Sequence, residues 1–322
     1  MSRRIVLIEY YFTATRLFAF GVRSDFEQPA VMEIAIDVTA LQSDVREVSP
    51  QLAVRIGEVV HWPALLQCVA PILEWTVPGD LVCIVPSGPL FYTPLHAVSV
   101  AGGPLMLRNP IFYAPSSSAL RYCIRRRQTN EPMRTPTVFG NPEGDLISSL
   151  REAEAVAELL GVTALLRDGV TRENWRIAMT SSDVIHYAGH AKFDEDDPLA
   201  SGLCLAGGDV LRARDFFEFG GHPIRLITLS GCVTGFNNVH PGDELLGLTR
   251  SLLYAGASSL LVTLWEIDDV SASLLMREFY RRWLQGSRTK VDALCDAQRF
   301  VLEHHSDNPS HWAPYLLIGD WI

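Results

Sequence analysis

Asp183-Val184-Ile185-His186-Tyr187-Ala188-Gly189-His190-Ala191 and Leu226-Ile227-Thr228-Leu229-Ser230-Gly231-Cys232-Val233-Thr234-Gly235 are the two stretches whose reading decides the fold of this chain. Each begins with a short apolar run, 183–186 in the first and 226–229 in the second, that reads as a buried parallel strand, and each then turns through glycine. In an open α/β sheet, residues just beyond the carboxyl ends of neighbouring strands converge in one crevice. His190 and Cys232 are therefore candidates to face each other. A thiol near its free pKa is only a few per cent thiolate at neutral pH, so an adjacent imidazole is needed to take its proton and later to protonate a leaving amine. Gly189, Gly231 and Gly235 let backbone run close to a substrate and let N–H groups face a developing oxyanion. This is a pattern for acyl transfer.

Other readings of the same residues carry less. Cysteine is among the most buried residue types, and a lone Cys or His at a strand end is ordinarily a packed core residue, so neither persuades singly. His186 and His190 have the spacing of a zincin pair, but Tyr187 stands where that motif needs glutamate, and Gly189 breaks the helix it needs. No Gly-x-Gly-x-x-Gly or Gly-Lys-Ser/Thr loop follows a strand, which argues against a nucleotide-binding protein.

Working outward, residues 4–11, 16–22 and 31–37 alternate apolar and polar like a strand meander with one solvated face. Helical spacing follows at 62–74 with Pro63 near its start, then a buried strand at 81–85 and a helix at 118–127. Residues 128–136 hold two prolines and few apolar groups and read as a linker. Beyond it, strand and helix alternate. Strands are expected at 137–140, 164–166, 203–205 and 259–263 besides the two quoted, and helices at 149–160, 171–179, 212–217, 244–254, 270–284 and 290–304. Ser149 with Glu152 reads as a capping box and Gly161 as a helix stop. Such alternation means a mostly parallel sheet with helices on both faces.

These segments, together with Gly242-Asp243-Glu244-Leu245-Leu246-Gly247-Leu248, Tyr254-Ala255-Gly256-Ala257, Leu264-Trp265-Glu266-Ile267-Asp268-Asp269 and the ending 311–321, resemble the CHAT-domain proteins, caspase-like cysteine peptidases related to separase. Val85-Pro86-Ser87-Gly88-Pro89-Leu90, Pro94-Leu95 and Tyr113-Ala114-Pro115-Ser116 resemble the amino-terminal half of the same domain, so the resemblance runs along nearly the whole chain in the family's order. It implies a caspase-like three-layer α/β/α sandwich. It divides the chain into an α/β pseudo-caspase-like half, 1–130, and a catalytic half, 131–322. It further implies His190 as general acid/base, Cys232 as nucleophile, and the backbone N–H groups of Cys232 and Ala191 as the oxyanion hole, with His186 left to pack or orient its loop.

Substrate contacts are expected from Gly189, Gly231, Trp265, Asp268, Asp269 and Ser273. Trp265 leaves its strand at the same sheet edge. Ser273 falls where separases, which cleave after arginine, carry an acidic residue, so a basic specificity is not inherited there. Asp268 and Asp269 serve either as its substitute or as caps of the next helix. The acidic loop Asp194-Glu195-Asp196-Asp197 reads as a solvated rim, a basic-side-chain contact or a calcium ligand set. Loop 233–243, rich in Gly, Asn and Pro, reads as a gate or processing loop.

The expected activity is that of a cysteine endopeptidase acting on a specific protein through a thioester, with no cofactor or metal. Family members in bacterial defence, including antiviral defence, and in cell death are switched on by a partner, so an activating or inhibitory protein partner is expected here as well. The alternative is a catalytically silent CHAT pseudoprotease acting as a scaffold. Composition agrees with a globular protein: 322 residues, 48% hydrophobic and 20% charged. A net charge of -10 argues against a nucleic-acid surface. Six scattered cysteines without Cys-x-x-Cys spacing read as reduced thiols of a cytoplasmic protein. Glu9 ends the first apolar run early, so no signal peptide or membrane span is expected.

Overall fold

The computed structural model describes residues 3–127, 135–192, 194, 197–219, 222–230, 233–234, 244–265, 267–286 and 288–322. Strands β1 (Ile5–Phe12), β2 (Leu17–Arg23) and β3 (Ala30–Ile34) form the meander, whose alternating burial follows the alternation in sequence. Helices α1 (Val38–Val48), α2 (Leu52–Val59) and α3 (Pro63–Trp75) precede β4 (Leu81–Val85). A hairpin of β5 (Ser99–Val100) and β6 (Gly103–Pro104), helix α4 (Leu105–Arg108), β7 (Ile111–Tyr113) and α5 (Ser117–Arg125) complete the first half. Then come β8 (Thr137–Gly140), α6 (Ile147–Leu160), β9 (Leu165–Leu166), α7 (Arg172–Ser181) and β10 (Val184–Ala188). Three short strands, β11 (Ala191–Lys192), β12 (Gly202–Cys204) and β13 (Val210–Arg212), are followed by β14 (Leu226–Ser230) and β15 (Val233–Thr234). The chain ends with α8 (Glu244–Ala255), β16 (Ser259–Thr263), α9 (Asp269–Gln285), α10 (Lys290–His304), α11 (Pro309–Trp312) and β17 (Tyr315–Gly319).

Among the described residues one sheet has the order β3-β2-β1-β4-β7-β17-β16-β14-β10-β8-β9. Beside the antiparallel meander β3-β2-β1, it consists of two parallel blocks running in opposite directions. β1, β4, β7 and β17 are mutually parallel; β16, β14, β10, β8 and β9 are mutually parallel; and β17 meets β16 antiparallel. Every residue of β4, β10, β14, β16 and β17 is buried, which is why these runs are continuously apolar rather than alternating. Because the blocks oppose each other, the carboxyl ends of β8, β10, β14 and β16 share one edge with the start of β17, whereas those of β4 and β7 lie on the other. The loops after β10 and β14 therefore share an edge, and the Pro86-Ser87-Gly88 turn lies across the sheet from them.

Some local expectations change. Helix α6 begins at Ile147 rather than through a Ser149 cap, and Glu152 turns inward, buried in contact with His186. The backbone N–H of Leu146 is instead taken by the side chain of Asn141. The expected helix at 212–217 is a 3₁₀ turn, Ala213–Glu218. Arg127, just past α5, pairs with Asp320 near the end of the chain, and Asp320 also faces Lys290. Most of the expected linker lies outside the described residues. Among the described residues no single helix is long and apolar enough to cross a membrane.

Candidate active site

His190 follows β10 on a loop held by its neighbours. The backbone N–H of Gly189 donates to Ser230 O at 3.2 Å, and that of Asn141 donates to Ala188 O at 2.8 Å. Tyr187 points back beneath the loop and donates its hydroxyl to the carbonyls of His190 (2.6 Å) and Cys204 (2.9 Å). Its ring belongs to an aromatic stack in which Trp175 lies 4.7 Å from Phe139 and 5.9 Å from Tyr187. The site edge thus rests on a rigid apolar base. Gly189 is required by this packing, since a Cβ there would stand 2.7 Å from Tyr187 Oη and 2.8 Å from Pro142 Cδ. That is a packing reason for the glycine, distinct from the substrate contact expected of it.

The His190 side chain is 21% exposed, and its Nε2 lies 3.1 Å from Asp145 Oδ2. Asp145 was not among the residues singled out from the sequence. A signal existed: Asn141-Pro142-Glu143-Gly144-Asp145 follows β8, the strand beside β10, and so delivers acidic residues to the same edge. An imidazole donating Nε2–H to Asp145 keeps Nδ1 as its acceptor, the tautomer that a base toward a thiol needs.

His186 has a different setting. Fully buried within β10, it stands 3.1 Å from Glu152 Oε1 through Nε2, though out of line for a hydrogen bond, and its Nδ1 lies 3.3 Å from Tyr280 Oη. The Tyr280 hydroxyl also meets that of Thr228 at 2.8 Å, so one polar cluster crosses from α6 through β10 to β14 and α9. His186 holds elements together and has no exposed surface on which to act.

Gly231 and Cys232 lie outside the described residues, as do 235–243 of the expected gate loop. Their flanks are described. Ala188 pairs with Ser230 and Ala191 with Val233, so the segments entering and leaving Gly189-His190 are in register with those entering and leaving Gly231-Cys232. Ala191 is buried in a small sheet of order β13-β12-β11-β15. Ser230 at the end of β14 meets the Tyr315 hydroxyl at 2.6 Å.

The other five cysteines are all buried. Burial raises the thiols of Cys123 and Cys204 to about 11 and those of Cys68 and Cys295 to about 12, and moves Cys83 higher still. Cys204, whose backbone N–H donates to His190 O, is raised by burial and further by the negative charge of Glu143. None of the five offers a thiolate at neutral pH.

Among the specificity candidates, Trp265 is buried and donates its indole N–H to Ser310 O at 3.2 Å. Asp268 caps α9 by accepting from the N–H groups of Val270 (3.1 Å) and Ser271 (3.2 Å), and its second oxygen lies 2.6 Å from His311 Nδ1. Burial works to raise the Asp268 carboxyl, but hydrogen bonds from Ser271 and His311 outweigh it and leave the carboxyl below its ordinary range. Asp269 opens α9, and Ser273 is half-buried on it. In the acidic loop, Asp194 accepts from the N–H of Asp197 at 2.9 Å and Asp197 pairs with Arg214, while 195 and 196 lie outside the described residues.

The fold is that of the caspase-like cysteine proteases. Separase in the Saccharomyces cerevisiae separase–securin complex superposes with a TM-score of 0.67 at 12% identity, over 98% of this chain and 30% of that one. Gingipain R, an Arg-specific cysteine proteinase, superposes with a TM-score of 0.55 at 13% identity, over 88% of this chain and 75% of that one. Residues 63–320 match the CHAT domain model, and the chain belongs to that family. It is also similar to tetratricopeptide repeat protein 28, 25% identical over 280 residues in Homo sapiens and 25% over 237 residues in Mus musculus. These alignments cover 70% and 56% of this chain but only 10% and 9% of the relatives, so the chain spans about a tenth of their length.

Proposed function

We propose that the chain is a cysteine endopeptidase that hydrolyses a peptide bond in a specific protein, with Cys232 as nucleophile, His190 as general acid/base and Asp145 orienting the imidazole. The observation that carries this reading is the paired register of the flanks, Ala188 with Ser230 and Ala191 with Val233. It supports placing the two short connections side by side above neighbouring strands. The thiols of the remaining cysteines, held protonated by burial, leave no competing nucleophile among them.

In the reaction His190 takes the Cys232 proton and the thiolate attacks the scissile carbonyl. The protonated imidazole then gives its proton to the leaving amine as the C–N bond breaks. A water deprotonated by the same imidazole hydrolyses the thioester. The division at 131 into a catalytic half and an inactive first half belongs to the same proposal. So does control by a protein partner in a cytoplasmic defence or cell-death system, for which the resemblance between the sequences is the support.

The test is co-expression of candidate protein partners with wild type and with Cys232→Ala, followed by mass spectrometry of new termini. A cleaved partner in the wild-type culture alone supports the reading, and its termini identify the substrate and the residue before the cut. Equal cleavage by Cys232→Ala defeats it.

A further inference from the structure

The edge that carries His190 also carries an unassigned cluster. Asp268, on the segment leaving β16, His305, just past α10, and His311, on α11 before β17, bring one carboxylate oxygen and two ring nitrogens within 4.8 Å of one another. These residues come from three separate segments that the end of the sheet gathers. Asp268 divides its work: Oδ1 caps α9, and Oδ2 faces His311. Ser271 Oγ lies 2.8 Å from the same Nδ1 of His311 and belongs to the surroundings of the cluster. The His305 ring stands almost perpendicular to that of His311, with centroids 5.6 Å apart, and among the described residues its nitrogens have no hydrogen-bond partner. An N-cap and an ion pair explain Asp268 and His311 but not the convergence of His305.

We propose that Asp268, His305 and His311 form a binding site for a divalent transition-metal ion of the zinc type. Two imidazoles and one carboxylate are the donor set of open zinc sites, and nitrogen with a single carboxylate oxygen favours zinc over calcium or magnesium. Zinc holds such ligands at about 2.0–2.1 Å, which sets them roughly 3.4 Å apart in a tetrahedron. The 2.6 Å between Asp268 and His311 and the 4.8 Å limit for the set bracket that separation. The ion leaves one position open to water or to a donor from another molecule. In place, it fastens the segment leaving β16 to the one entering β17, where the Leu264 N–H already donates to Pro314 O at 2.9 Å. On the proteolytic reading that segment is a wall of the substrate cleft, so the ion sets its shape. Binding of the ion itself does not depend on that reading.

The experiment titrates zinc sulfate into the full chain carrying Cys232→Ala, which removes the candidate nucleophile as a competing ligand, and repeats it with His305→Ala and with His311→Ala added. One equivalent is expected to bind saturably, with affinity at least tenfold weaker after either substitution. The cobalt complex of the Cys232→Ala chain should show no thiolate charge-transfer band. His305 is exposed and stands outside the core, so its removal should leave the fold intact. Failure of the Cys232→Ala chain to bind saturably, binding indifferent to His305→Ala, or a thiolate band would each overturn the site. None of these results bears on whether the wild type cleaves protein.

Discussion

Replacing His186 by alanine tests whether the two histidines of this segment are divided between structure and chemistry as their surroundings indicate. The His186 side chain is fully buried and stands 3.1 Å from Glu152, itself only 4% exposed. Taking the imidazole away leaves the Glu152 carboxyl in the core without its neighbour and strips Tyr280 of one of its two polar contacts. An orphaned buried polar group costs about 1–3 kcal/mol, and truncating a buried ring leaves a cavity that adds to it, so a loss near 3 kcal/mol is expected. For a chain of this size that lowers Tm by about 4–5 °C. His190→Ala removes a partly exposed ring whose Asp145 partner is 59% exposed, and should change stability by no more than about 1 kcal/mol. The assay is urea and thermal unfolding of both variants and of His186→Leu/Glu152→Leu. Because removing both partners leaves nothing polar stranded, the double variant should recover most of the loss. A cost below about 1 kcal/mol for His186→Ala would refute the reasoning, as would a double variant as unstable as the sum of the single ones.

Four further outcomes are expected. On the proposed reaction, Cys232→Ala and His190→Ala each abolish cleavage in a gel assay while the circular dichroism spectrum is kept, because no neighbour replaces either group. Asp145→Asn should lower kcat/KM only about two- to fivefold, the scale of an exposed pair; a loss beyond about a hundredfold would make Asp145 an integral member of the site. Gly189→Ala should destabilise the fold by about 1–3 kcal/mol, because the new methyl group meets Tyr187 and Pro142, and unchanged unfolding would contradict the packing argument. Burial holds the His96 imidazole down at about 4 against an ordinary 6.5, despite its bond to the Ala313 carbonyl. The unfolded chain therefore binds that proton first, so this contribution to stability, about 3 kcal/mol, is complete above pH 6.5 and is lost as pH falls from 6.5 to 4. Unfolding midpoints across that range should show the slope in the wild type and lose it in His96→Phe.

The strands that set the fold were readable because burial on both faces leaves continuous apolar runs. The strand at 81–85, the strand at 259–263 and the helix at 290–304 fall where the sequence places them. The capping box failed because Glu152 answers to His186 across the sheet, a tertiary demand that no local motif reports. Asp145 was missed for a related reason: its partner is distant in the chain, and only the adjacency of β8 and β10 brings them together. Asp268 was left between cap and specificity residue, and the structure gives it a cap with Oδ1 and a histidine neighbour with Oδ2. His305 carried no signal, since a single histidine after a helix acquires meaning only when α11 folds back beside it.

The reversal of strand direction at β17 explains why the two halves offer such different surfaces to chemistry. In the second block, β8, β10, β14 and β16 bring Asp145, His190, Ser230 and Trp265 to one edge on successive loops. In the first block the carboxyl ends of β4 and β7 face away from that edge, so their loops cannot add to it. The buried histidine of the first half, His96, is locked on both nitrogens: Nδ1 meets Tyr113 Oη at 2.9 Å and Nε2 meets Ala313 O at 3.0 Å. With its pKa held near 4 and no free nitrogen, it cannot exchange protons with a substrate at neutral pH. Its bond to Ala313 nevertheless reaches the segment just before β17. The first half therefore contributes by fixing the strand on which the sheet reverses, and cutting that bond with His96→Phe should disturb the β17 end of the edge that carries His190 before it disturbs β10.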